Sequence, residues 1–202
     1  MPAKLIVTMF LSLDGVQQGP GGPDEDTSGG FRQGGWLPPH VDEGFGAIMG
    51  EELSRADALL LGRKSYDVLA SYWPNAPAEE GADVLNSMQK YVTSRSMDKA
   101  GWANTQVLTG EAATTVAALK EAATGVIITQ GSGDLIQSLQ CAGLVDEYHL
   151  LVFPVILGQG KRLFPEGTAS AGLRLISSST TGAGVVFSKY ECAGEPAYGS
   201  VV

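Results

Sequence analysis

The sequence predicts an α/β domain: a three-layer α/β/α arrangement on a mostly parallel central sheet that ends in an antiparallel hairpin. Two patterns predict it. Short apolar, β-branched runs alternate with helix-forming stretches along the length, as expected of strands joined by crossover helices. The last two runs flank Thr181-Gly182-Ala183-Gly184, a Gly-containing connection suited to a hairpin.

Strands are expected at residues 4–13, 58–61, 90–93, 106–109, 125–129, 147–154, 173–179 and 185–191. The first run has the look of a secretory leader core, yet it continues into Ser12-Leu13-Asp14-Gly15 without a small-residue cleavage site, so it is read as a strand. Helices are expected at 39–55, 64–70, 78–87, 112–123 and 133–141, the fourth rich in Ala. Residues 17–39 break the pattern, with Gly or Pro at 19–23, 29, 30, 34, 35, 38 and 39. A loop this long is a lid, a binding loop or a disordered segment. With few side chains to bury, it is expected to stay mobile until ordered by a ligand or by docking of Phe31 and Trp36. One domain is expected over 1–193, with this loop as its lid and 194–202 as a tail.

Composition narrows the function. The chain has 202 residues, 22 acidic and 13 basic, for a formal net charge of −9, and an ordinary globular apolar fraction of 44%. Nucleic acid is a poor partner, because its binding draws on Lys and Arg neutralising phosphates. Two cysteines without CxxC spacing point to reduced structural thiols and to no metal site. No apolar run approaches the roughly 18 residues that span a bilayer, so no membrane partner and a cytoplasmic location are expected.

Three junctions could carry chemistry. Gly62-Arg63-Lys64-Ser65 follows an apolar strand and opens a helix, so free backbone N–H groups, two cations and a hydroxyl meet at one place. Ser94 and Arg95 follow the next strand, and Gln130-Gly131-Ser132-Gly133-Asp134-Leu135 is a third strand running through a Gly-rich turn into a helix. Any one of them also reads as an ordinary strand-to-helix junction. In an open α/β sheet ligands sit at the carboxyl ends of strands, so three such junctions suggest one cofactor cleft. The GxGxxG dinucleotide pattern is absent.

Gly143-Leu144-Val145-Asp146-Glu147-Tyr148 and Pro154-Val155-Ile156-Leu157-Gly158-Gln159-Gly160-Lys161-Arg162-Leu163-Phe164, with Ser12-Leu13-Asp14-Gly15 and Gly62-Arg63-Lys64-Ser65-Tyr66, complete a pattern over most of the chain. It resembles the dihydrofolate reductase-like superfamily, and within it the C-terminal reductase domain of bacterial riboflavin deaminase-reductases. The resemblance implies an NADPH-dependent reductase acting on a small pterin-, pyrimidine- or related heterocyclic substrate, and a homodimer. A non-catalytic module that keeps the fold to bind a dinucleotide or other ligand is the alternative. The resemblance further implies that Gly62, Arg63, Lys64, Ser65, Ser94 and Arg95 hold the adenosine side and 2′-phosphate, and that Gly131, Ser132, Gly133, Asp134 and Leu135 hold the pyrophosphate. Gln130 stands where the riboflavin enzyme has a Glu, which places it on the substrate side. No zinc deaminase signature is present.

Reduction of a C=N bond needs a proton beside the hydride. Asp14, at the end of the first strand, and Asp42, with Glu43 at the start of the first helix, are the candidate carboxylates; each also reads as a turn or helix-start residue. Trp36 either closes over a flat substrate ring or anchors the loop. His149 lies on an apolar strand face and is read as structural, whereas His40 borders loop and helix as a cap neighbour or a substrate contact.

Overall fold

The computed structural model describes residues 1–78 and 81–201. Its strands are β1 (Lys4–Ser12), β2 (Ala58–Gly62), β3 (Gln89–Thr93), β4 (Thr105–Leu108), β5 (Val126–Gln130), β6 (Glu147–Phe153), β7 (Leu173–Thr180) and β8 (Val186–Cys192). They form one sheet in the order β4-β3-β2-β5-β1-β6-β8-β7. Strands β1 to β6 pair in parallel, β8 is antiparallel to β6, and β7 and β8 make the expected terminal hairpin. The helices are α1 (Glu43–Ser54), α2 (Arg63–Tyr72), α3 (Ala82–Ser87), α4 (Ala112–Ala122) and α5 (Gly133–Cys141).

Helices cover both faces, which is why the central strands read as nearly unbroken apolar runs. Leu5, Val7, Met9 and Leu11 of β1 point to one face and pack with Val116 of α4 and Leu135, Ile136 and Leu139 of α5. Ile6, Leu59, Leu61 and Ile128 point to the other, under Tyr66 of α2 and Leu85 of α3. A third cluster sets Leu151, Phe153 and Phe187 beneath Phe45, Ile48 and Met49 of α1, with Phe31 and Trp36 of the loop.

Two expectations are corrected. The first helix does not begin at Pro39: Pro38–His40 forms a separate 3-10 turn, and α1 starts at Glu43 because Asp42 caps it, accepting the Phe45 N–H at 2.7 Å. Residues 79 and 80 of the helix expected at 78–87 lie outside the described residues, and α3 begins at Ala82.

The loop at 17–39 packs on the domain through the two side chains expected to dock it. Phe31 and Trp36 are buried, and so is Gln18, the polar hub of the loop. Gln18 Nε2 donates to the carbonyls of Asp26 (3.1 Å) and Ser28 (2.9 Å), its Oε1 accepts the Lys161 N–H (3.0 Å), and its carbonyl accepts Trp36 Nε1–H (2.9 Å). A single buried amide thereby supplies partners that the Gly and Pro residues lack.

Candidate active site

The carboxyl ends of β5, β2 and β3 are neighbours in the sheet, with Gly62 opposite Thr93 in register. The three junctions singled out in the sequence therefore meet. Gly62 donates its N–H to Ser132 Oγ at 2.7 Å, joining the start of α2 to the start of α5. A side chain at position 62 would put its Cβ 2.8 Å from that oxygen, so glycine is what permits the contact. Gly131 and Ser132 both have positive φ (82° and 63°), turning the chain sharply from β5 into α5. Neither helix start is capped by a side chain: α2 begins after Gly62, which has none, and at α5 the Ser132 hydroxyl serves Gly62 instead. First-turn N–H groups of two helices thus face one junction, a setting that favours an anion.

The cations around this junction differ. Arg63 Nε donates to both carboxylate oxygens of Asp67, one turn along α2 (2.9 and 2.8 Å). Arg95 and Lys64 are exposed. Ser94 is buried and is spent locally, its Oγ accepting the N–H groups of Ser96 (3.3 Å) and Met97 (3.0 Å). Ser65 lies beside Gly131, whose Cβ would sit 3.0 Å from Ser65 Oγ. Asp134 is exposed in the first turn of α5, while Leu135 packs into the core. Sequence reasoning missed Gln17, whose side-chain amide lies against Gly133 where a Cβ would sit.

On the substrate side, Gln130 ends β5 opposite Thr8 of β1. Both candidate carboxylates sit at this end of the sheet, and both are engaged as acceptors. Asp14 accepts from Ser12 Oγ (2.7 Å) and from the N–H groups of Leu157 (3.0 Å) and Gly158 (2.9 Å), and Arg162 donates to its carbonyl. These bonds, led by the Ser12 hydroxyl, lower its pKa to about 2. Asp42 accepts from Phe45 N–H and, at 2.7 Å, from Ala183 N–H in the β7–β8 turn; the Phe45 bond chiefly holds its carboxyl below the usual range. Ionised and saturated with donors, each ties chain segments together and neither is poised to release a proton at neutral pH.

Trp36 is a loop anchor: it is 6% exposed and packs edge-on against Phe153 with ring centroids 5.4 Å apart. Phe153, fully buried at the end of β6, is also met by Phe10 (6.1 Å), Phe45 (6.1 Å) and His40 (5.9 Å). The spacing of Phe31, Trp36, His40 and Phe45 in an otherwise small-residue stretch was the available signal for this cluster. Among the described residues no group of His, Cys, Asp and Glu could hold a metal ion, and no helix is long and apolar enough to cross a membrane. A hollow of about 440 Å³ lined by Pro2, Lys4, Lys120 and Asp146 lies at the other end of the sheet and includes none of these residues.

The chain is 29% identical over 191 residues to YyaP of Bacillus subtilis (strain 168), an uncharacterized protein, covering 91% of this chain and 92% of that one. The fold matches a crystal structure of a protein assigned to riboflavin biosynthesis from Shewanella sp. PV-4 (TM-score 0.68, 25% identity, 95% of this chain and 99% of the other). It also matches dihydrofolate reductase from Enterococcus faecalis complexed with NADP(H) (TM-score 0.61, 14% identity, 94% and 96%). The model of the RibD C-terminal domain matches residues 3–187, nearly the full length, and the chain belongs to that family.

Proposed function

We propose that this protein is an NADPH-dependent reductase of the dihydrofolate reductase type, acting on a small heterocyclic substrate. The observation that carries the reading is the Gly62–Ser132 hydrogen bond, which brings the uncapped starts of α2 and α5 to one junction. A dinucleotide fits it. The α5 start at Gly131, Ser132 and Gly133 would take the pyrophosphate, and Ser65 lies within reach. Arg95, with Lys64, would meet the 2′-phosphate, since a phosphate there wants cations where a bare ribose wants a carboxylate. Asp134 opposes this locally but is exposed and turned to solvent. When bound, the reduced nicotinamide supplies a hydride; the chain's own residues bind, orient and exclude water around it.

Titration of NADPH into the purified protein, followed by protein fluorescence, tests the reading. Quenching that saturates in wild type and weakens at least tenfold in Gly62→Val, where the added side chain would displace Ser132, is expected. Equal binding by both proteins would place the dinucleotide elsewhere.

A further inference from the structure

We propose that the hollow at the amino ends of β1 and β6 is a second ligand site, built for a small zwitterion: an α-amino acid with a short apolar side chain. It is independent of the reductase reading, since it lies at the end of the sheet opposite the α2–α5 junction and shares no residue with it.

The hollow measures about 440 Å³, within the range of roughly 300–1,000 Å³ usual for small-molecule sites. The start of β1, the last turns of α4 and the connection from α5 to β6 form its walls. Backbone groups fix these three segments to one another. Ala3 N–H donates to the Lys120 carbonyl at 2.8 Å, Leu5 N–H to Asp146 Oδ2 at 2.6 Å, and Asp146 N–H to the Leu5 carbonyl at 3.0 Å. The shape of the hollow is therefore set by the sheet and helix, not by long side chains at the surface.

Its polar groups carry both signs and keep spare capacity. The Lys120 side chain is 13% exposed and gives two of its three ammonium N–H groups to the Leu144 carbonyl and Asp146 Oδ2, each at 2.6 Å. The third has no partner among the described residues. Asp146 spends Oδ2 on Lys120 and Leu5 and leaves Oδ1 open. Glu121, next to Lys120 on α4, is exposed and enters no ion pair among the described residues. Lys4 also belongs to the lining, half-exposed, with its ammonium 2.6 Å from Glu147.

This balance selects the ligand. A simple anion would meet Asp146 and Glu121, and a simple cation would meet Lys120 and Lys4, so each is opposed by like charge. A molecule with both charges a few bonds apart satisfies both sets: its carboxylate accepts the third N–H of Lys120, and its ammonium donates to Asp146 Oδ1 and Glu121. Pro2, Ala117 and Leu144 supply the apolar surface for a short side chain.

The test is amide NMR on the full-length protein without dinucleotide, titrated with L-valine, with isovalerate, which lacks the ammonium, and with isobutylamine, which lacks the carboxylate. L-Valine is expected to move the resonances of Ala3, Lys4 and Asp146 saturably and to leave Gly62 and Gly131 in place. Each single-charge probe should bind at least tenfold more weakly, as expected for the loss of one charge-assisted contact. Ala117→Leu, which fills the hollow, should abolish the shifts. Glu121→Gln, at an exposed position that the fold does not use, should weaken L-valine at least fivefold with an unchanged Tm. No saturable movement at Ala3, Lys4 and Asp146, or movement at Gly62 and Gly131 instead, overturns the site. Equal binding by isovalerate or isobutylamine overturns the zwitterion assignment. NADPH binding is scored separately, so its failure would defeat the reductase reading and leave this site standing.

Discussion

His149 Nδ1 meets Glu52 of α1 inside the protein, and its Nε2 meets Glu147 at 3.0 Å, so one fully buried imidazole bridges two carboxylates. Lys189 stands 3.0 Å from the other Glu52 oxygen, and Lys4 pairs with Glu147 at 2.6 Å. This chain of carboxylate, imidazole and ammonium groups ties α1 to β1, β6 and β8 at the end of the helix opposite Asp42. Burial alone would raise the pKa of both glutamates, but the hydrogen bonds from His149, with Lys189 on Glu52 and Lys4 on Glu147, hold them below the usual range.

Removing one member of such a buried set leaves the others unpaired, which costs about 3–5 kcal/mol. Glu52→Gln is therefore expected to destabilise the fold by that order in chemical denaturation at pH 7. Because the folded pKa is depressed, the stability contributed by Glu52 is present above the unfolded value of 4.5 and lost as pH falls through the lower folded value. Between pH 5 and 3 the variant should lose less stability than wild type. Parallel acid profiles would show that the carboxylate does not carry the linkage.

Asp14 is predicted to act as a brace between the end of β1 and the 155–163 segment. Asp14→Asn keeps the shape but presents an NH₂ group to donors, and should cost about 1–3 kcal/mol. Its pKa of about 2 means that the acid limb of any activity profile should not move in the variant. A shifted limb with unchanged stability would return Asp14 to the chemistry.

Lys90 is fully buried and donates to the carbonyls of Leu85 (2.7 Å), Asn86 (3.3 Å) and Met88 (2.7 Å), closing the end of α3, with Trp102 against its ammonium. Desolvation lowers its pKa from 10.5 to about 8. The unfolded chain then binds more protons than the folded one between pH 8 and 10.5, so stability should rise with pH across that window. Lys90→Met should remove this component of the slope; identical slopes would contradict the burial argument.

Every residue of β7 is exposed, including Leu173, Leu175 and Ile176, and one of its edges is unpaired in the sheet. An uncovered apolar edge strand invites pairing. A homodimer through this edge is predicted, and Ile176→Lys should shift the mass in light scattering from two chains to one. A monomer in wild type would refute it.

How much was legible follows from where the information lies. Strands and their order of burial could be read because both sheet faces are covered, so Leu59-Leu60-Leu61 and Ile127-Ile128 are apolar on consecutive positions. The three strand-to-helix junctions were local patterns, and parallel topology brought them side by side. The start of α1 was misplaced because Pro38 and Pro39 suit a helix start as well as the 3-10 turn they form. The roles of Asp14 and Asp42 were hidden because their donors, Leu157 and Ala183, are more than 140 residues away. Glu52 gave no sign of burial, since its partners lie on β6 and β8 and exist only in the fold.

The central claim is that the α2–α5 junction, with Arg95 beside it, holds a phosphorylated dinucleotide. Calorimetric titration of wild type with NADPH and with NADH, repeated on Arg95→Ala, tests it most directly. A charge-assisted contact contributes about 1.5–3 kcal/mol, so NADPH should bind roughly tenfold or more tightly than NADH, and the variant should lose that preference. Arg63→Ala should lose less, its guanidinium being shared with Asp67. Absence of binding by either dinucleotide at millimolar concentration would contradict the claim.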